Sequence, residues 1–320
     1  MTDPFLTIVV TGRNDGYGGD FNTRFVRALR FNHEQLAAAG VQHDVLLVEW
    51  APPADRPLLA DVLAELYPAV SPEWLTTVVV DPRYHEAYAM NPRLAYMEYV
   101  AKNAGIRRAA GRFVLATNTD IYLGSGVVKT LAAGALDAGV VYRATRTDVK
   151  LGADETHVDW SLLEDERNHV THKTIKPPLY QGGTGDFLLV DRSSFHALRG
   201  FNEIYRLVRV GVDVNFLVKA YGCGYRIADI GAPVFHTNHV GSYRITKRAT
   251  GEEDANARWG RQDWPSKAVV YENPEDWGLG RAPERAVRPG VTALDFSWEA
   301  APPLAAFRRL VLPAARVGRA

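Results

Sequence analysis

At 320 residues the chain has material for one large α/β domain or two small ones, and 47% apolar against 23% charged residues marks a globular rather than a disordered protein. Lys plus Arg, 37, equals Asp plus Glu, 37, so no global field draws the protein to nucleic acid or a membrane, and any anion must be held locally. The single cysteine, Cys223, excludes an internal disulfide framework and any CxxC or Cys/His zinc spacing, which points to a reducing, cytoplasmic compartment.

The N-terminus lacks a basic region followed by a long apolar run, and no stretch reaches the roughly 18 apolar residues of a membrane span. Residues 6–11 read as a first, β-branched strand that ends directly in GRNDGYGGDFN, residues 12–22. Such a strand exit is an expected ligand contact. The loop has neither the GxGxxG of dinucleotide folds nor a GxxxxGKS/T phosphate loop, which argues against oxidoreductase and ATPase readings. A helix follows with Phe21, Phe25, Leu29 and Leu36 near one face and Gly40 past its end. Residues 44–48 form a second strand that leaves through Glu49, Trp50 and a Pro pair. Asp55 to Pro57 starts a helix with Leu58, Leu59, Val62, Leu63 and Leu66 on its buried side, and residues 76–80 are the third strand.

The stretch AKNAGIRRAAGRFVLATNTDIYL, residues 101–123, is the centre of the pattern. Asn91 and Pro92 offer a cap and a first-turn proline, and Leu94, Met97, Ala101 and Ala104 recur at helical spacing, so a helix is expected to deliver the chain to Gly111. Residues 113–116 then suit a buried strand, whose end changes abruptly to Thr117, Asn118, Thr119 and Asp120. Ligands in open α/β sheets sit beyond the carboxyl ends of strands, so Asp120 is a candidate site residue; a simple Asn/Asp turn is the competing reading. Ser125 caps the next helix, Gly139 ends it, and residues 140–143 are a fifth strand. The alternation across residues 5–145 implies an α/β fold with a mostly parallel sheet and helices on both faces. Acids at two strand exits, Glu49 and Asp120, favour a site over a turn.

Residues 145–185 break the rhythm, with Asp148, Asp154, Glu155, His157, Asp159, His169 and His172 among few apolar residues, and are expected to form a lid or binding segment. His157, His169 and His172 show no tight ligand spacing. Gly182 to Asp186 opens a strand, residues 212–221 read as a helix, 225–230 as a strand, and 234–239 as another strand end carrying His236 and His239. Cys223, between glycines, reads as a small packed residue. Beyond Gly241 the chain is rich in charge, Trp and Pro and reads as an irregular C-terminal cover. In the tail, residues 307–320, Arg308, Arg309, Arg316 and Arg319 mix with Leu310, Val311 and Leu312, a composition that suits peripheral contact with the inner face of a membrane, a frayed terminus or a helix packed on the body.

Four segments together resemble the GT-A glycosyltransferases, in particular the inverting family 2 type, over residues 5–240. That family has a first strand ending in a polar loop at the nucleotide, matched by IVVTGRN with Thr11, Arg13 and Asn14, and a second strand ending in an acid that bonds the base, matched by Glu49. Its segment RNxGxxxAxGxxxxxLDxD is matched in frame by Lys102, Asn103, Gly105, Gly111, Asn118 and Asp120. A glycine-led strand, an R..F...GGF.E helix and a Glu-Asp pair correspond to GGTGDFLLVDRSSFHALRGFNE, residues 182–203, and to Val212 and Asp213; a histidine after the last core strand corresponds to His236. Two positions depart from the family. Asn118 replaces the first carboxylate of the metal motif and Val212 the Glu of the Glu-Asp pair, which puts metal dependence in question.

The resemblance implies a GT-A domain over residues 1–240, divided into a nucleotide-sugar-binding half, 1–145, and an acceptor and catalytic half, 146–240, with 241–320 as an extension packed on it. It implies sugar transfer with inversion from a nucleotide-diphosphate donor to the hydroxyl of a glycan, lipid-linked or small-molecule acceptor, in polysaccharide, glycolipid or natural-product glycoside synthesis. Asp213 corresponds to the catalytic base, with Asp186 as the alternative or an acceptor residue. Asp120 and His236, with Asn118 as a neutral ligand, would hold one Mn²⁺ or Mg²⁺, and Lys102, Arg107 and Arg13 would donate to phosphate. The rival readings are a sugar-phosphate nucleotidylyltransferase, whose GGxGTR signature is absent after the first strand, and a non-catalytic nucleotide-sugar-binding protein.

Overall fold

The computed structural model describes residues 3–17, 19–152, 157–208, 211–237 and 269–312. Leu6–Gly12 (β1) is buried along its whole length, and Phe21–Ala38 (α1) follows it. Next come His43–Trp50 (β2), Leu59–Leu66 (α2), Leu75–Val80 (β3), Pro82–Tyr88 (α3) and Glu98–Arg108 (α4). Phe113–Thr117 (β4) and Ile121–Leu123 (β5) bracket the polar turn, before Ser125–Ala132 (α5) and Val140–Arg143 (β6). The middle of the chain forms Arg146–Val149 (β7), Trp160–Leu163 (α6), His169–Lys173 (β8), Phe187–Asp191 (β9) and Arg192–Ala197 (α7). Val212–Gly222 (α8), Arg226–Asp229 (β10) and Val234–Thr237 (β11) precede Val270–Glu272 (β12), Glu284–Arg288 (β13), Val291–Leu294 (β14) and Arg308–Leu310 (β15).

The α/β class expected from the alternation is present. The central sheet runs β10-β6-β9-β4-β1-β2-β3-β14-β13; β9 is antiparallel to both β4 and β6, β13 is antiparallel to β14, and the remaining pairs are parallel. Strands this apolar need cover on both sides. Phe25, Leu29, Leu63 and Val127 of α1, α2 and α5 cover the face that carries Ile8, Val10 and Leu47, while Ala101, Ala104, Phe195 and Phe216 of α4, α7 and α8 pack on the face that carries Val9 and Val48. Gly105 lets α4 lie directly on the sheet, because a side chain there would collide with Val9, Val48 and Leu46.

Several local expectations change. Asn91 does not start the central helix: its Oδ1 accepts the Arg93 amide at 3.1 Å and its Nδ2 donates to the Leu207 carbonyl, closing a turn pinned to residue 207, so α4 begins only at Glu98. Leu94 and Met97 are still buried. Gly124, not Ser125, is the cap residue of α5, and the Ser125 amide donates to Glu164 Oε1 instead. Residues 145–185 are not one irregular lid. Their strands β7 and β8 join β5 and β11 in a second sheet, ordered β5-β11-β7-β8, that places His236 beside Asp148. Nor are residues 269–312 an irregular cover, since β14 adds to the central sheet parallel to β3. Cys223 is exposed rather than packed.

The expectations for His239, for residues 241–268 and for the basic end of the tail, 313–320, lie outside the described residues. Among the described residues no helix is long and apolar enough to cross a membrane.

Candidate active site

The parallel strands β1, β2 and β4 all end at one edge, and the 117–120 turn at the end of β4 is built into a polar network there. Thr117 Oγ1 donates to the Asp186 carbonyl at 2.6 Å. Asn118 Nδ2 donates to Asp186 Oδ1 and its Oδ1 accepts from Lys102 Nζ, both at 2.8 Å. Lys102 is fully buried, and its ammonium donates to Glu98 Oε1 at 2.8 Å and the Gly185 carbonyl at 2.9 Å as well. Three donors meet three acceptors. Lys102 is therefore a strut joining α4, the β4 turn and Gly185, not the phosphate donor expected from the sequence. Asn118 likewise turns its oxygen to Lys102 rather than to a metal position.

A second group surrounds Asp120. Its Oδ2 accepts from Arg24 Nη1 at 3.0 Å and lies 3.6 Å from His236 Nε2. The other imidazole nitrogen of His236 is 3.1 Å from Asp148 Oδ1. Asp148 also accepts from Arg146 Nε at 2.7 Å and from Thr171 Oγ1 at 2.5 Å, while Arg146 Nη1 reaches Asp186 Oδ2 at 2.6 Å. Burial of Asp148 works against its charge, but the donors His236, Arg146 and Thr171 outweigh it and hold the carboxyl well below the usual range. For His236 burial also opposes charge, yet Asp120 and Asp148 on its two sides raise it to about 9.

The donor set tests the expected cation. Oδ2 of Asp120 and Nε2 of His236, 3.6 Å apart, are at a separation that two ligands of one ion can span, and the Asp148 carboxylate behind the far ring nitrogen is the usual support of a ligating histidine. Among the described residues no third His, Cys, Asp or Glu joins them. The pair fits an ion that takes its remaining ligands from a bound phosphate, and does not fit a closed protein site.

Asp213 lies beside Gly185, whose carbonyl Lys102 holds. It lies in the first turn of α8, half-buried, and burial raises it above the usual carboxylate range; the Val214 amide pulls it down and the nearby Glu98 pushes it up. The absence of a side chain at Gly185 allows the approach, since a methyl group there would sit 2.8 Å from the Tyr99 hydroxyl, 3.6 Å from Asp213 Oδ2 and 3.7 Å from Glu98 Oε1. Arg143, wholly buried, donates to the carbonyls of Gly182 and Thr184 and fixes the loop that carries Gly185. Burial lowers its guanidinium to about 10 against the opposing charges of Asp213 and Asp186.

At the end of β1, Thr11 is buried, Asn14 Nδ2 donates to the Pro57 carbonyl at 2.8 Å, and Arg13 Nη1 donates to the Ala95 carbonyl at 2.5 Å. Glu49 is buried completely. Its Oε2 accepts the Leu59 amide at 2.8 Å and its Oε1 has no partner among the described residues; burial drives the carboxyl up to about 7. Two expected donor residues lie elsewhere. Asn103 bonds the Phe201 backbone and Glu203 Oε1, and Arg107 donates to the carbonyls of Glu275 and Trp277 with its guanidinium over the Trp277 ring. Asn103 thus holds the 201–203 turn to α4, and Arg107 holds the 275–277 segment to it. Sequence reasoning missed Arg24, Arg143, Arg146, Asp148 and Glu98. Arg24 did carry a signal: it follows Phe21 by three positions and precedes Phe25, so a charge sits on the apolar stripe of α1.

No family model and no curated protein matches the chain. Among solved structures it is similar to GalNAc-T7 with UDP, GalNAc and Mn²⁺, at 12% identity and TM-score 0.48 over 75% of this chain and 45% of that one. It is also similar to the mannosyltransferase PcManGT from Pyrobaculum calidifontis in complex with GDP-Man and Mn²⁺, at 19% identity and TM-score 0.45 over 81% of this chain and 66% of that one. A third is the catalytic domain of Drosophila beta1,4galactosyltransferase 7 in complex with xylobiose, at 13% identity and TM-score 0.40 over 91% of this chain and 92% of that one. The chain spans less than half of the first of these proteins.

Proposed function

We propose that the chain is a GT-A-type glycosyltransferase that moves a sugar from a nucleoside-diphosphate donor to an acceptor hydroxyl with inversion. One observation carries this reading: beyond the carboxyl end of β4, Asp120 is met by Arg24 and His236, while Asp213 lies beside Gly185, whose carbonyl Lys102 ties to Asn118 of the same turn. The first is suited to a diphosphate and the second to a proton. In the reaction the acceptor oxygen bonds the anomeric carbon, the bond from that carbon to phosphate breaks with its electron pair leaving on the diphosphate, and the hydroxyl proton passes to the Asp213 carboxylate. A carboxyl raised above the usual carboxylate range is a better base for a hydroxyl than an ordinary one. Asp186 orients Asn118 and Arg146. Asp120 and His236 would hold a Mn²⁺ or Mg²⁺, which when bound would offset the charge of the diphosphate. A cytoplasmic setting, with a glycan, lipid-linked or small-molecule acceptor, belongs to the same proposal.

The test is a thermal-shift panel of UDP-, GDP-, dTDP- and CMP-sugars with and without Mn²⁺, because a ligand that binds only the folded state raises its stability. A rise in Tm with one nucleoside-diphosphate sugar is the expected result. No shift with any donor under either condition would remove the reading.

A further inference from the structure

Arg24 is a guanidinium 1% exposed, set near the start of an 18-residue helix that leaves the end of β1. Its two sides differ. On the inner side Nη1 is held by Asp120, whose side chain is 10% exposed; on the outer side Nε donates to Asp20 Oδ1 at 2.7 Å and Nη2 to the Tyr17 carbonyl at 2.7 Å, and the Asp20 side chain is 47% exposed. Asp20 occupies the cap position of α1, yet its carboxylate makes no capping bond and is turned onto Arg24. The first amides of α1 thus lack the side-chain acceptor that an Asp at this position ordinarily gives. The outer edge of the fork is met by a solvent-side carboxylate and a loop carbonyl, two oxygen acceptors on adjacent nitrogens of the guanidinium, beside a helix start that favours anions.

We propose that Arg24 is a diphosphate-binding residue of the donor site, with Asp20 and the Tyr17 carbonyl as internal stand-ins that phosphate oxygens displace. The inference rests on the nucleoside-diphosphate reading given above. Asp120 keeps the guanidinium plane fixed throughout, and the exchange takes place on the solvent side, where the ion pair with Asp20 is screened and weak. Arg24 then supplies phosphate affinity of its own, separate from whatever Asp120 and His236 hold, so a nucleoside diphosphate binds measurably without a divalent cation. The two neighbours of the fork have opposite signs: Arg24 attracts the ligand and Asp20 competes with it.

Calorimetric titration of UDP and GDP into the full chain, in EDTA and again with Mn²⁺, tests this with Arg24→Met, Arg24→Lys and Asp20→Ala. In EDTA the unaltered chain should bind one of the two, Arg24→Met should weaken it at least about tenfold, the loss expected for charge-assisted hydrogen bonds, and Arg24→Lys should fall between. Asp20→Ala should bind equally well or up to about fivefold tighter, the scale of an exposed ion pair. Should Arg24→Met fail to melt cooperatively, Arg24→Lys and Asp20→Ala decide the matter. Unchanged affinity in the Arg24 variants, or a loss in Asp20→Ala as large as theirs, would overturn the proposal. Binding that occurs only with Mn²⁺, or no binding of either nucleotide, would overturn it; the glycosyltransferase reading falls only if the full donor panel also gives no shift.

Discussion

Asp186 and Asp213 both lie at the 183–185 loop, the first with a carboxylate oxygen against Gly183 and the second beside Gly185, and their surroundings are opposite. Asp186 has both carboxylate oxygens engaged, one by Asn118 at 2.8 Å and one by Arg146 at 2.6 Å, and is buried. Asp213 is half-buried, has Glu98 as a neighbour, and is raised by burial with only the Val214 amide and distant cations opposing. Both oxygens of Asp186 serve as acceptors that hold neighbouring side chains in place. What separates the two is the use of their oxygens, not their distance from the site. Asp213→Asn should therefore lower kcat about 10²–10⁴-fold, the range for loss of a general base, with little change in donor affinity. Turnover equal to that of the unaltered chain would reverse the comparison.

Asp186 should respond in stability instead. Asp186→Asn keeps the shape but takes from the mostly buried Arg146 guanidinium one of its two carboxylates, leaving Asp148, and the loss of such a charged hydrogen bond costs about 1.5–3 kcal/mol. Urea unfolding should show that loss as a lower midpoint with an unchanged slope. Stability equal to the unaltered chain, together with a collapse of kcat, would exchange the roles of the two acids.

The same contrast explains what the sequence could disclose. The β1 to β4 strands and their helices were legible because each is a single apolar run or stripe whose period does not depend on distant residues. Asp120, Asp186, Asp213 and His236 were placed by family pattern; Asp120 lies 3.6 Å from His236, Asp186 holds Asn118 and Arg146, and Asp213 lies beside Gly185. Lys102, Asn103 and Arg107 were misassigned since their spacing fixes them on α4 but not the direction of their side chains: 102 faces the β4 turn, 103 the Phe201 backbone, and 107 the 275–277 segment. Residues 145–185 were opaque for a related reason. Of their strands, β7 pairs with β11, beyond residue 230, and β8 pairs with β7 in turn, and such pairing leaves no local period in polar, half-exposed strands. The joining of β14 to β3 is longer still in sequence and equally silent.

Glu49 extends the comparison to an acid away from Gly185. One of its oxygens accepts the Leu59 amide and the other has no partner among the described residues, so burial dominates and raises it from 4.5 to about 7. The folded state binds this proton more tightly than the unfolded chain, so its contribution is full below pH 4.5 and is lost as pH rises toward 7. Glu49→Gln can still accept from Leu59 and carries no charge. It should match the unaltered chain near pH 4.5 and exceed it at pH 8 by about 3 kcal/mol in urea unfolding, given roughly 1.4 kcal/mol per unit of displacement. A difference that does not grow with pH would mean that an empty lone pair in a buried carboxyl is not what raises these acids.

Gly185→Ala probes the gap between the two acids and should give the smallest effect. The added methyl would meet the Tyr99 hydroxyl at 2.8 Å, closer than a carbon side chain sits to an oxygen, and would touch Asp213 Oδ2 at 3.6 Å. The Gly185 carbonyl already accepts from buried Lys102, which resists movement of the backbone, and Tyr99 is packed against Phe201 with ring centroids 4.9 Å apart. The strain therefore falls on the tip of Tyr99 and on the space in front of Asp213. Displacing a base by a fraction of an ångström leaves the fold and the Asp120 group intact, so donor affinity should hold while kcat drops about tenfold, well short of deleting the carboxylate. Tyr99→Phe removes the oxygen that the methyl meets, and the double variant should recover part of the loss; that coupling is what a double-mutant cycle reads. If Gly185→Ala weakens donor binding and leaves kcat unchanged, Asp213 faces the donor rather than the acceptor, and its assignment as the base fails.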